Sequence, residues 1–248
     1  MASRPLCAGA IAQLEDEMTT YDDEYCLRRY RAMQDAEPQW FENAVDCPTT
    51  ILFENDEIQD AQVAVRAERL AEGSPVDDLR VGVLAEDHFM GCLIRDAVRF
   101  SDGRLGLYNR VMATGGVVML PLIGDQIALI RIFRHAPRRW FLEAPQGFLT
   151  PDGNPMEAAR RELLEEIGAS AIELIPMGLV YTSTALTSEN LKLFIARIDS
   201  VGLPQREEGI DSIHLIGRDE IDRHLLDGTI CDGPTTTAIT RARLRGLL

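Results

Sequence analysis

Glu162, Glu165 and Glu166 stand at i, i+3 and i+4 within residues 147–169, GFLTPDGNPMEAARRELLEEIGA. On a helix this spacing sends all three carboxylates out from one side. Like charges one turn apart, as at Glu162 and Glu166, disfavour a helix slightly, and Arg161 set i, i+4 from Glu165 offsets part of that. Such a cluster suits a hard cation such as Mg²⁺, which takes oxygen ligands and keeps waters for chemistry. A solvated acidic helix face is the commoner fate of three glutamates taken alone.

The helix is marked at both ends. Pro151-Asp152-Gly153 is a turn tripeptide, Asn154 an N-cap, Pro155 a first-turn proline, and Glu157 has capping-box spacing. Gly168 is placed to end the helix in the left-handed conformation. Ala158, Ala159, Leu163, Leu164 and Ile167 form its expected packed side.

Around the helix the pattern is mostly strands. Residues 117–122 and 126–133 flank Gly124-Asp125, and Asp102-Gly103 also sits between strand-like segments, so both read as hairpins. Further strands are expected at 79–84, 140–144, 172–181, 191–198 and 212–216, with closing helices near 219–226 and 235–247. Hairpin-linked strands with few helices predict an α+β sandwich and not a regular βαβ repeat. The first 78 residues read differently. A partly helical stretch over 21–46, a strand at 49–53 and a helix over 58–71 broken by Gly73-Ser74-Pro75 carry no evident chemistry. They predict a packing or partner-binding extension of uncertain fold.

Composition narrows the function classes. Of 248 residues, 40 are acidic and 25 are Lys or Arg, a net charge of −15, which argues against sequence-independent nucleic-acid binding. Five scattered cysteines form no CxxC pair, as for reduced thiols, and no apolar run is long enough to span a bilayer. The first residues make a poor secretory signal. These features predict a cytoplasmic protein without membrane or nucleic-acid partners. His88, His135, His214 and His224 have no metal-ligand spacing.

The stretch 147–169 resembles the Nudix box, G-x5-E-x7-R-E-U-x-E-E-x-G-U with U aliphatic. Gly147, Arg161, Glu162, Leu163, Glu165, Glu166 and Gly168 fall in register, whereas Gly153 stands at the early glutamate and Ala169 at the last aliphatic position. Residues 129–134, LIRIFR, look like the L-V-R-Q-Y-R strand of ADP-ribose pyrophosphatase-like members. Residues 140–147, WFLEAPQG, look like their E-L-P-A-G entry to the box, and Asp232-Gly233 before a Thr-rich helix is similar to their ending. The resemblance covers about 79–248, so the organisation expected is an extension over 1–78 and a Nudix hydrolase domain over 79–248.

The resemblance implies a Nudix-type α/β/α sandwich with a mixed sheet, and hydrolysis of a pyrophosphate bond in a nucleoside diphosphate derivative. ADP-ribose is the first substrate expected, a nucleotide sugar the next. It implies Mg²⁺ or Mn²⁺ held by Glu162, Glu165, Glu166 and the Gln146 carbonyl, with Arg161 orienting the glutamates. Gly147 would let the backbone approach the metal. Arg131 and Arg134 are implied as phosphate contacts, and Glu143 as a contact to metal-bound water or substrate, with a surface strand glutamate as the other fate. Glu207 or Glu208 is implied as the general base, and Glu189 matches the downstream glutamate of a substrate loop. Members of this kind are commonly homodimers, a part that residues 91–112 would play. A non-catalytic Nudix-fold binding or regulatory module is the competing expectation, motivated by Gly153 and the extension.

Overall fold

Turn residues and alternating apolar residues divide the chain much as its sequence suggests, and their packing gives two compact units. The computed structural model describes residues 21–88, 91–150, 153–203 and 209–248. The first unit is Met1–Ala113 with Ala185–Ser188, and the second is Thr114–Thr184 with Glu189–Leu248.

In the first unit, α1 (Asp23–Ala36) begins at Asp22, whose carboxylate accepts the Tyr25 N–H at 2.8 Å. β1 (Thr49–Ile51) precedes α2 (Asn55–Glu72), which ends on the left-handed Gly73. β2 (Gly82–Asp87), β3 (Gly91–Phe100) and β4 (Leu105–Met112) complete an antiparallel sheet in which β3 is central. Residues 91–112 are thus the β3–β4 hairpin of this unit. Successive strand side chains face opposite ways, so Cys92 and Ile94 join Tyr30 and Phe41, while Ala97 joins Ile58 and Ala61 of α2. Two polar clusters accompany this packing, one buried and one at its margin. The Tyr30 hydroxyl donates to the buried Asp96, which also takes the Arg110 Nε–H at 2.6 Å. Arg80 grips both carboxylate oxygens of Asp78 at 2.9 Å, and Arg95 Nη1 adds a third contact at 3.2 Å. The expected boundary at 78/79 therefore falls inside one packed unit, because β3 pairs with β1 across some fifty residues (Thr49 opposite Phe100).

The second unit opens with the hairpin β5 (Gly116–Ile123) and β6 (Gln126–Arg134), turned at the left-handed Gly124. These strands pair only at Leu122–Ile127 and Ile123–Gln126, then splay. β7 (Arg139–Glu143) and β8 (Gln146–Phe148) fill the wedge, β7 along β6 and β8 along β5. α3 (Pro155–Ile167) follows, then β9 (Glu173–Tyr181), β10 (Asn190–Arg197), β11 (Ile210–Gly217), α4 (Arg218–Leu226) and α5 (Gly233–Leu244). The sheet runs β11-β6-β5-β10-β9; β10 is parallel to β5 and the other pairings are antiparallel, so it is mixed.

One sheet face packs on α3 through Val117, Met119, Ile130, Ile132, Ala159, Leu163 and Ile167. The other packs on α5 through Val118, Leu120, Leu129, Leu193, Ala238 and Ile239. This is the α/β/α sandwich that the sequence implied. At the outer strand β9, guanidiniums of Arg241 and Arg245 donate to the carbonyls of Pro176, Met177 and Leu179. No helix among the described residues is long and apolar enough to cross a membrane.

Candidate active site

α3 forms where its local signals put it. The Asn154 side chain accepts the Met156 N–H at 2.9 Å, and Gly168 caps the other end with φ 61°. Its amphipathicity then divides the three glutamates. Glu162 and Glu166 turn inward with Leu163 and Ile167 and are 8% and 3% exposed. Glu165 lies on the exposed side, its carboxylate 3.6 Å from Arg161 Nε. Leu164, expected in the packed side, is 59% exposed. The i+3 step leaves Glu165 a third of a turn away from the centre of the buried stripe, and packing resolves what spacing alone leaves equal.

The buried pair faces the strand that enters the helix. Glu166 accepts the Gln146 backbone N–H at 2.9 Å. The Glu162 carboxyl lies over Gly147, where an added Cβ would sit 2.0 Å from its Cδ. The close approach at Gly147 is therefore to a glutamate side chain. Arg161 Nη2 donates to Glu162 at 2.5 Å, and Glu162 in turn raises the proton affinity of that guanidinium.

Glu143, at the end of β7, is 2% exposed, so it is no surface strand glutamate. Arg134 donates to its Oε2 through Nε at 2.9 Å and Nη2 at 2.6 Å, and Gln146 Nε2 donates to the same oxygen at 2.9 Å. Burial pushes the Glu143 carboxyl above its ordinary value although Arg134 opposes this, and the charge of Asp232 adds to the rise.

The structure thus brings Arg134, Glu143, Gln146, Glu162 and Glu166 together, with Arg161 at the margin. Arg131 and Glu189 belong to other groups. Strand alternation sets Arg131 with Leu129 on the α5 face, where it pairs with Asp211 at 2.7 Å and stacks 4.1 Å over the Trp140 ring. Glu189 accepts from the Thr182 hydroxyl at 2.6 Å. Glu207 and Glu208, the expected bases, and Pro151 and Asp152 of the box turn lie outside the described residues. At Gly153 an added Cβ would meet Thr150 Oγ1 at 2.4 Å, so a side chain there needs the Thr150 hydroxyl to move.

Two residues given no role on sequence grounds also reach this segment. Thr235, fully buried, accepts the Ala144 N–H at 2.9 Å, and Asp232 accepts from both the N–H and the hydroxyl of Thr235. The signal was present in Asp-Gly-Pro-Thr, an N-cap acid three residues before a threonine, but it names no distant partner.

Among the described residues, no three His, Cys, Asp or Glu are gathered as a ready metal cage. The donor chemistry nonetheless fits a hard ion. Two buried carboxylates beside a strand backbone match Mg²⁺, which is commonly held by one or two carboxylates with waters and substrate phosphates completing the set.

The family model of the NUDIX domain matches residues 112–229. That stretch is a Nudix domain. Its first residue lies beside the Ala113/Thr114 division between the compact units. Over 102 residues the chain is 28% identical to the ADP compounds hydrolase NudE of Escherichia coli (strain K12), covering 40% of this chain and 55% of that protein. Over 111 residues it is 31% identical to the ADP-ribose pyrophosphatase of Bacillus subtilis (strain 168), covering 44% and 60%. The chain thus spans a little over half the length of these curated relatives. Within the superfamily the likeness of the Nudix domain is to the ADP-ribose pyrophosphatase-like branch. The fold is shared with a crystal structure of an ADP compounds hydrolase, at a TM-score of 0.59 and 20% identity over 67% of this chain and 93% of that one.

Proposed function

We propose that the Nudix domain hydrolyses a pyrophosphate bond in a nucleoside diphosphate derivative, releasing a nucleoside monophosphate and a phosphorylated remainder. ADP-ribose is the first substrate, consistent with the names of both curated relatives. The observation that carries this reading is the pair Glu162 and Glu166, buried against the strand segment Gln146-Gly147 with Glu143 and Arg134 beside it. Two buried carboxylates beside a strand backbone are the kind of oxygen donor set that a hard divalent cation takes.

Glu162, Glu166 and the Gln146 carbonyl would hold Mg²⁺ or Mn²⁺, with Glu165 beside them. When bound, the ion supplies charge neutralisation at the diphosphate and a lowered pKa for attacking water. Arg161 orients Glu162 through their hydrogen-bonded ion pair. Arg134 fixes Glu143 and has protons left for a phosphate oxygen, a use to which guanidinium geometry is suited. Glu189 belongs to this proposal as an outer substrate contact, whereas Arg131, held by Asp211 on the other face of the sheet, does not. Glu207 or Glu208 would take the proton from the attacking water. A cytoplasmic homodimer completes the reading, and light scattering that gave a monomer would remove the dimer.

Gly153 favours a second reading, a Nudix-fold module that binds such a ligand without turnover, because the early glutamate of the box is missing there. One experiment separates them. The protein is incubated with Mg²⁺ or Mn²⁺ and a panel of ADP-ribose, sugar nucleotides, dinucleotides and nucleoside triphosphates, with Glu166→Gln as control. Nucleoside monophosphate from one class, lost in the control, supports the hydrolase. No product from any member transfers the case to the binding module.

A further inference from the structure

We infer that Thr235, reaching from α5 on the far face of the sheet, is a positioning residue for the site on the α3 face. The inference rests on the hydrolase reading for its kinetic arm only. Its basis is where the backbone of the β7–β8 connection finds its hydrogen bonds.

Four residues, Glu143 to Gln146, cross the wedge between β5 and β6. Ala144 follows the last residue of β7, and its N–H goes to Thr235 Oγ1 at 2.9 Å. Pro145 has no N–H, and its carbonyl accepts from Met119 of β5 at 2.9 Å. The Gln146 N–H goes to Glu166 of α3 at 2.9 Å. The connection is thus held from three sides, by α5, by β5 and by α3.

The polarity of the α5 contact is fixed. Asp232 Oδ2 takes the Thr235 hydroxyl proton at 2.6 Å and the Thr235 N–H at 2.9 Å. A carboxylate only accepts, so the hydroxyl has spent its one proton and turns a lone pair to Ala144. Thr235 and Ala144 are both fully buried, so removing the hydroxyl leaves a buried N–H without a partner or water. The nearest relief is a shift of the connection, and Glu143 and Gln146 flank the atom that would move. Neither Asp232 nor Thr235 needs to touch substrate.

The test compares wild type, Thr235→Ser and Thr235→Val in the full chain. Valine keeps the volume and loses the hydroxyl; serine keeps the hydroxyl. Two quantities are read well below each variant's melting temperature: Mn²⁺ affinity by electron paramagnetic resonance, and kcat on ADP-ribose with Mg²⁺. The expected result is a roughly tenfold loss in both for Thr235→Val, as for other residues that orient metal-site groups. Thr235→Ser should stay within about threefold of wild type on the same scale. Wild-type affinity and kcat in Thr235→Val overturn the inference, even if its melting temperature falls, since the contact would then serve stability alone. If wild type binds Mn²⁺ but hydrolyses nothing, the hydrolase reading fails and the affinities decide the positioning role. If wild type neither binds Mn²⁺ nor turns over, both fail together.

Discussion

The carboxyl of Glu162 rests on the Cα of Gly147, so close that a single methyl group on Gly147 would stand 2.0 Å from Glu162 Cδ. Glycine is needed here for what lies above it, and the backbone shape is secondary. Gly147→Ala should displace Glu162, cut turnover and cost about 1–3 kcal/mol, the range for overpacking a tight interior. Urea melts and steady-state kinetics on the same variant check both. An alanine variant with native stability would mean that Glu162 moves aside freely.

The glutamates should not be equivalent. Glu162→Gln and Glu166→Gln are expected to reduce turnover on the order of 100-fold or more, since even groups that only orient metal ligands are worth about 10–100-fold. Glu165→Gln, on the exposed side of α3, should cost under about tenfold on the same scale. Equal losses at all three positions would restore the view that one carboxylate face acts as a unit.

Arg134 and Glu143 form a pair in which one partner is buried. Arg134→Met leaves Glu143 without its counter-charge and should destabilise by about 3 kcal/mol, the lower end for breaking a buried pair because Arg134 is half-buried. Adding Glu143→Gln should recover part of that stability while leaving activity low. A double-mutant cycle by denaturant melts gives the coupling, and purely additive losses would contradict it.

Glu207 and Glu208 are tested by kinetics alone. Replacing the true base by glutamine should lower kcat by roughly 10²-fold or more. Turnover unchanged in both single variants removes the two from consideration.

In the first unit, the Arg80 guanidinium holds the Asp78 carboxyl well below the usual carboxylate range. A folded-state pKa below the unfolded one adds stability above the unfolded value, and this is lost as pH falls toward the folded value. Asp78→Asn should therefore lower stability at pH near 7, by no more than about 1 kcal/mol because the side chain is 41% exposed. The gap to wild type should close as pH drops below about 4, the unperturbed aspartate range. An equal gap at both pH values would show that the loss is not electrostatic.

What could be read from the sequence was what is local. Asn154 and Gly168 bound α3, and Gly124 and Gly103 turn hairpins, because each acts within a few residues. The box spacing named Glu162 and Glu166 for the same reason. It could not separate them from Glu165, since burial is set by what the helix lies on. The exposed Leu164 has the same cause. Contacts across long sequence separations were out of reach. Arg131 meets Asp211 80 residues on, and Thr235 meets Ala144 91 residues back. Neither partner carries a local mark. The β7–β8 wedge is of this kind too, because nothing within the β5–β6 hairpin announces that its strands part after two residue pairs.

The arginines along β9 bear on how this chain behaves in a crowded solution. A strand at the rim of a sheet ordinarily presents carbonyls on which a stray strand can zip. Here the guanidiniums of Arg241 and Arg245 already occupy those of residues 176, 177 and 179, and Pro176 offers no N–H in return. Lateral growth of the sheet from this side must first break three charge-assisted hydrogen bonds, so the last helix serves as a stopper against fibre-like self-addition as well as a wall of the core.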